Sequence, residues 1–301
     1  MTDQHPKVIY IVGGQKGGVG KTSTCQALCQ YRIDNHEKGS FTLIEGDAQI
    51  DDVGRAYGDQ IQGTQKVVIS DDRAKRSNPD VIYDTAINAD KDVIVNLPSN
   101  ILDVFGRWLE EGQVIRILQE KLKGQVRLVK LFVSDGCHES IHQLEKSVNM
   151  LDNSIPHVLI LNEGRVSAAD FSYLDKEEMY TKLRSAPNLI DVFKLPALEP
   201  GTRFFVDKYG QGLRKAYEQS EADSDFIVAH RIESFIQEVH DLFKQVDESI
   251  DKWFAQQPEW SNGSASTSKG SSSKDSEAKS EGGEPKKPKS TRKKRSEPVA
   301  S

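Results

Sequence analysis

Val8-Ile9-Tyr10-Ile11-Val12, followed by Gly14-Gln15-Lys16-Gly17-Gly18-Val19-Gly20-Lys21-Thr22-Ser23-Thr24, is the stretch that decides how this chain is built. An apolar run that feeds a glycine-rich loop and then a helical sequence reads as strand, phosphate-binding loop and helix. Gly17, Gly18 and Gly20 let the backbone curl so that consecutive N–H groups point at phosphate oxygens. Lys21 places a cation on the β- and γ-phosphates, and the hydroxyl of Thr22 is placed to ligate Mg²⁺. The helix that starts near Gly20 turns its positive end to the same anion. The chain is therefore expected to bind a nucleoside triphosphate through residues 17 to 23, including Val19 and Ser23.

Outward from this loop, apolar runs alternate with helical stretches. Helices are predicted over 22–38, 78–89, 102–121, 139–150, 170–184, 201–217 and 225–256. Strands are predicted over 41–45, 67–70, 92–98, 126–133, 157–162 and 192–195. Such alternation predicts an α/β fold, a mostly parallel sheet with helices on both faces. In sheets of this kind a ligand sits beyond the carboxyl ends of the strands, where the Lys21 loop lies.

The second lysine of the loop, Lys16, narrows the reading. With it, the loop resembles that of the deviant Walker ATPases of the ParA/MinD family. The resemblance spans roughly residues 7 to 217 and is densest at the loop. It implies that ATP is the nucleotide and that Lys16 crosses a dimer interface to the phosphates bound by the other subunit. A cation in that place lowers the cost of bringing two anionic nucleotides face to face.

Further matches follow the family's order. Glu45-Gly46-Asp47-Ala48-Gln49 resembles the segment whose second aspartate helps position the attacking water, which assigns that task to Asp47. Glu45 stands where the family carries its first aspartate. Val93-Ile94-Val95-Asn96-Leu97-Pro98 resembles the Walker B strand but departs from it at Asn96, where a carboxylate normally holds a Mg²⁺-bound water. An amide oxygen can accept that hydrogen bond without bringing negative charge, so weak Mg²⁺ binding and slow turnover are expected. The resemblance assigns adenine contacts to Asn162, at the end of Val158–Asn162, and to Pro196 in the following strand-to-loop segment.

Composition bounds the rest. The chain has 301 residues, 36% of them hydrophobic. From Ser261 onward it is mainly Ser, Gly, Lys, Glu and Pro, a disordered tail by composition. Residues 1–257 are then one ATPase domain. Of 40 Lys and Arg and 46 Asp and Glu, ten and five follow Trp260, so the tail is net +5 and the rest −11. Lys286 to Arg295 carries seven of those cations and can hold DNA without reading its sequence. The long terminal helix, about 225–256, carries an apolar stripe from Phe226 and Ile232 to Trp253 and Phe254. Its other face is acidic, with Glu233, Glu238, Asp241, Asp247, Glu248 and Asp251. That favours packing on protein over an anionic membrane. No run approaches a membrane span, Met1 to Lys7 does not read as a secretory signal, and Cys25, Cys29 and Cys137 lack metal spacing. A cytoplasmic protein is expected.

Together these features imply a ParA-like ATPase that forms a homodimer on binding ATP–Mg²⁺ and is reset by hydrolysis. Plasmid or DNA partition, or cargo positioning, is the implied task, with nonspecific DNA and a stimulating adaptor protein as partners. The alternative is a hydrolysis-poor accessory factor for plasmid stability or conjugative transfer, with Asn96 as its mark. A cluster-bearing electron-transfer relative is a more distant alternative, since Cys137 alone supports it.

Overall fold

The structure is a computed structural model that describes residues 6–46, 52–89, 91–165 and 171–260. Among the described residues seven strands form one sheet: β1 (Lys7–Gly13), β2 (Phe41–Glu45), β3 (Gln65–Lys66), β4 (Asp92–Asn96), β5 (Val126–Ser134), β6 (His157–Asn162) and β7 (Leu189–Leu195). Ten α-helices accompany them in the described residues. The first five are α1 (Lys21–Asn35), α2 (Asp52–Tyr57), α3 (Asp80–Asn88), α4 (Leu102–Glu111) and α5 (Val114–Glu120). The others are α6 (His138–Val148), α7 (Glu178–Arg184), α8 (Pro200–Tyr209), α9 (Leu213–Ala222) and α10 (Phe226–Ala255).

The strands run in the order β3-β2-β4-β1-β5-β6-β7, and every pairing is parallel. Successive side chains of a strand point to opposite faces, so β6 shows how the sheet is covered. Val158 and Ile160 join the cluster that holds Val239 and Phe243 of α10. Leu159 and Leu161 pack instead with Ile141 and Leu144 of α6 and Leu183 of α7. Both faces are buried, which is why these strands read as continuous apolar runs. The expected α/β architecture is present.

The terminal helix lies on the body. Ile232, Ile236, Val239, Phe243, Val246, Ile250 and Phe254 are buried along one stripe, each contributing roughly 1.5–3 kcal/mol of apolar burial. A polar clasp fixes its register. Asp247 accepts hydrogen bonds from Tyr10 Oη (2.8 Å), Arg32 Nη2 (2.9 Å) and Tyr31 Oη (3.3 Å), tying α10 to β1 and to the helix behind the loop. Phe226 does not belong to the buried stripe. It is 66% exposed, beside an equally exposed Ile227, because both precede the first turn that meets the body.

Several boundaries differ from expectation. The third strand is Gln65–Lys66, not residues 67–70. Val67 N–H still reaches Glu45 O at 2.9 Å, but beyond it Val67 and Ile69 are buried by packing rather than pairing. The predicted helix over 102–121 breaks between Glu111 and Val114, where Gln113 takes a left-handed φ of 49°. The helix expected over 201–217 breaks at Gly210, whose φ is 57°. The one expected from 170 starts at Glu178, after a 3₁₀ turn over Ser172–Lys176. The basic tail lies outside the described residues.

Candidate functional site

The carboxyl ends of β1, β2, β4, β5 and β6 carry Gly13, Glu45, Asn96, Ser134 and Asn162 to one edge of the sheet. Parallel strands oblige this, since every connecting helix returns the chain to the opposite edge. The loop between β1 and α1 crosses that edge. It is built on left-handed backbone at Gly18 (φ 79°) and Gly20 (φ 104°), the latter capping α1. A Cβ on Gly20 would overlap the amide of Asn162, so strain and space both require glycine there.

Gly18, Gly20, Lys21, Thr22 and Ser23 line a cavity of about 470 Å³, together with Asn96, Pro98 and Ser99 from β4 and the loop after it. Lys21 is nearly buried. Its Nζ donates to Ser99 Oγ at 2.7 Å and to the carbonyl of Lys16 at 3.4 Å. Burial lowers its pKa, so a multiply charged anion in the cavity would restore the solvation the ammonium lacks. Gln15 braces the loop from the other side: its Oε1 accepts from Leu102 N and its carbonyl from Asn100 N, both at 3.2 Å.

Lys16 is not among the residues that line this cavity. Its Nζ donates to Asp135 Oδ2 at 2.8 Å and to Cys137 Sγ at 3.3 Å, just beyond β5. The Asp135 hydrogen bond is the main reason the Lys16 pKa is raised, with Cys137 adding to it. Burial pushes the Asp135 carboxyl up, but the bonds from Lys16 and Cys137 outweigh it and hold it below the usual range. Asp47 lies outside the described residues.

Asn162 sits behind the loop as a strut. Its Nδ2 donates to Val19 O at 2.8 Å and its Oδ1 accepts from Gly164 N at 3.0 Å, while the Val19 side chain enters the core. Asn162 and Pro196 meet in a smaller hollow that shares Ser23, Gln26 and Arg203 with the main cavity. Gly17 faces open space: a methyl group on its Cα would find Ser99 Oγ as its nearest neighbour, at 4.0 Å.

Four neighbours escaped the sequence reading. Ser99 holds Lys21, Asp135 holds Lys16, and Arg165 and Arg203 line the cavity. Arg203 Nη2 also reaches Ser23 Oγ at 3.4 Å. Ser99 lies three residues beyond Asn96, and its closeness to the strand end was the available signal. The arginines lie more than a hundred residues from the loop and carried none.

The oxygen donors present suit a hard cation. Thr22 and Asn96 border the same cavity, and Asn96 Nδ2 donates to Glu45 Oε2 at 2.8 Å, which leaves Oδ1 as its acceptor. Among the described residues no group of three His, Cys, Asp or Glu is arranged to hold a metal. A Mg²⁺ ion here would rest on few protein oxygens and on substrate phosphates, its usual mode in phosphate sites. Also among the described residues, no helix is long and apolar enough to cross a membrane.

No family model matches the chain. Among characterised proteins it is similar to Protein MobD of Acidithiobacillus ferrooxidans, 28% identical over 191 residues that cover 60% of this chain and 72% of that protein. Among solved structures, a plasmid partition protein from Borrelia burgdorferi matches at a TM-score of 0.38 and 14% identity, over 62% of this chain and 90% of that one. A nucleotide-binding protein from Archaeoglobus fulgidus, solved in complex with ADP, matches at a TM-score of 0.35 and 12% identity, over 66% of this chain and 84% of that one. These are distant likenesses, and what the structure itself shows is an α/β protein with a parallel seven-stranded sheet.

Proposed function

We propose that the chain is a ParA/MinD-like ATPase that binds ATP, dimerises in that state and is reset by hydrolysis, in DNA partition or cargo positioning. The observation that carries this reading is the loop itself: left-handed Gly18 and Gly20, and a nearly buried Lys21, at the mouth of a cavity bordered by Thr22 and Asn96. Backbone N–H groups of the loop and the Lys21 ammonium would bind the phosphates. Thr22 and, through water, Asn96 would hold Mg²⁺, which when bound supplies charge neutralisation on the phosphoryl oxygens. Asp47 would orient the attacking water and accept its proton. Lys16 would leave Asp135 and reach the phosphates of the second subunit. Asn162 and Pro196 would flank the adenine.

The dimer state is then the output: it sets affinity for DNA, through the basic tail among other surfaces, and for an adaptor that stimulates hydrolysis. Light scattering with and without ATP–Mg²⁺ tests the reading. A nucleotide-dependent doubling of mass supports it, and a monomer at saturating ATP refutes it. Asn96 favours one second reading, a nucleotide-held accessory factor with little turnover. Single-turnover phosphate release separates the two.

A further inference from the structure

Glu45 and Asn96 end neighbouring parallel strands and are direct partners in the register of β2 and β4. Glu45 is fully buried and Asn96 nearly so. Among the described residues, three backbone and side-chain donors converge on the Glu45 carboxylate. Val53 N (3.1 Å) and Gly54 N (2.9 Å), at the start of α2, donate to Oε1, and Asn96 Nδ2 donates to Oε2 at 2.8 Å. Convergent donors suit the ionised group, which accepts and cannot donate.

Two consequences follow from that chemistry. An Asn96 flipped about its amide would set oxygen against oxygen, so Glu45 dictates which atom of Asn96 remains for the cavity, and that atom is Oδ1. An aspartate at 96 would instead set a second carboxylate against Glu45 in a buried place, where the two could not both ionise. The carboxylate at 45 and the amide at 96 therefore require each other.

We propose that Glu45 and Asn96 act as one unit in which the negative charge of the strand ends sits on Glu45, one strand outward, and Glu45 positions Asn96 Oδ1 to accept a hydrogen bond from a Mg²⁺-bound water. Glu45 is a positioning residue, and the proposal rests on the nucleotide reading above. It recasts Asn96 as half of a compensated exchange rather than a lost carboxylate. In Glu45→Gln, the Gln oxygen still serves Val53 and Gly54, but its NH₂ faces Asn96. Asn96 must then flip and present a donor to the cavity. In Glu45→Gln with Asn96→Asp, the bonds from Val53 and Gly54 are kept, the one to position 96 is kept with its donor reversed, and the charge moves to position 96.

The test is a titration of a fluorescent ATP analogue, in Mg²⁺ and in EDTA, on wild type, E45Q, N96A, N96D and the E45Q/N96D pair, with thermal melts of each. The Mg²⁺ enhancement of binding is expected to fall by about threefold to tenfold in E45Q, the worth of one hydrogen bond, with binding in EDTA unchanged. N96A, which leaves the Val53 and Gly54 bonds intact, should lose the same enhancement. N96D alone should melt lower than wild type at pH 8, and adding E45Q should restore both melting and Mg²⁺ enhancement. Equal Mg²⁺ enhancement in wild type, E45Q and N96A, or a double variant that is only the sum of its singles, would overturn the proposal. If wild type binds no analogue in either buffer, it is the nucleotide reading that fails. The melting cycle still decides the pairing in that case: N96D must destabilise, and E45Q must reverse it.

Discussion

Lys16 Nζ sits 2.8 Å from Asp135 Oδ2, so the lysine proposed to serve a second subunit is held within its own chain by the residue just past β5. The pair is partly exposed, with the Lys16 side chain 39% accessible, which makes the hold weak enough to release. Asp135→Asn removes the charge that retains the ammonium but not the lysine. It is expected to raise ATP-dependent dimerisation a few-fold, seen by light scattering across protein concentration, while Lys16→Ala abolishes it. A D135N variant that dimerises less than wild type would mean that Asp135 supports Lys16 in the dimer rather than competing for it.

Lys21→Ala separates phosphate binding from folding. The lysine is desolvated and among the described residues its Nζ donates to Ser99 Oγ and a carbonyl alone, so its removal should leave the melting temperature unchanged or raised. Nucleotide affinity, in contrast, should fall by about tenfold to a hundredfold, the range of a charged hydrogen bond to phosphate. Isothermal titration with ATP and a melt of the unliganded protein check both halves.

Asp247→Ala should be among the most damaging single changes in α10. It strips Arg32, whose side chain is 4% exposed, of its nearest carboxylate, so that among the described carboxylates Asp92 Oδ2 at 3.8 Å remains, beside the neutral partners Tyr10 Oη and His36 Nε2. Removing the close carboxylate of a buried guanidinium costs roughly 3–5 kcal/mol, and the hydroxyls of Tyr10 and Tyr31 lose their acceptor as well. Urea unfolding gives the loss. A change under about 1 kcal/mol would mean that Asp92 replaces Asp247.

What could be read in the chain beforehand was what is local. Strand, loop and helix from Val8 to Thr24 announce themselves because one backbone geometry needs those residues in that order. The α10 stripe was legible for the same reason, since its period of three to four repeats over eight turns. The break at Gln113 was masked by apolar residues on either side of it, Trp108 and Leu109 before and Val114 and Ile115 after, which keep a helical period across Gly112. The third strand was misplaced because Val67 and Ile69 look like strand residues yet are buried by packing. The Glu45–Asn96 and Lys16–Asp135 contacts depend on which strands end side by side, and sheet order is a long-range property that no window of sequence holds.

Lys130 contributes to the pH response. It lies on β5, the strand beside β1, fully enclosed. Its Nζ donates to Ser147 Oγ (2.7 Å), whose hydroxyl is 2.7 Å from His157 Nε2, while His157 Nδ1 lies 2.7 Å from Ile155 O. The last contact requires Nδ1 to carry the proton, so Nε2 accepts from Ser147 and the imidazole is neutral. Burial lowers the Lys130 pKa to about 7. Burial, aided by the Lys130 charge, lowers that of His157 to about 3. Both groups bind protons more readily in the unfolded chain, so their contribution to stability rises with pH wherever the folded and unfolded values differ. For His157 that window runs from about 3 to about 6.5, and for Lys130 from about 7 to about 10.5. Lys130→Met removes the buried ammonium and keeps the Ser147–His157 bond. The variant is expected to melt higher than wild type at pH 7 and to lose the rise between pH 7 and pH 10, while the acid-side rise persists. Melting curves from pH 4 to pH 10 decide it, and an unchanged alkaline slope in the variant would show that Lys130 is not its source.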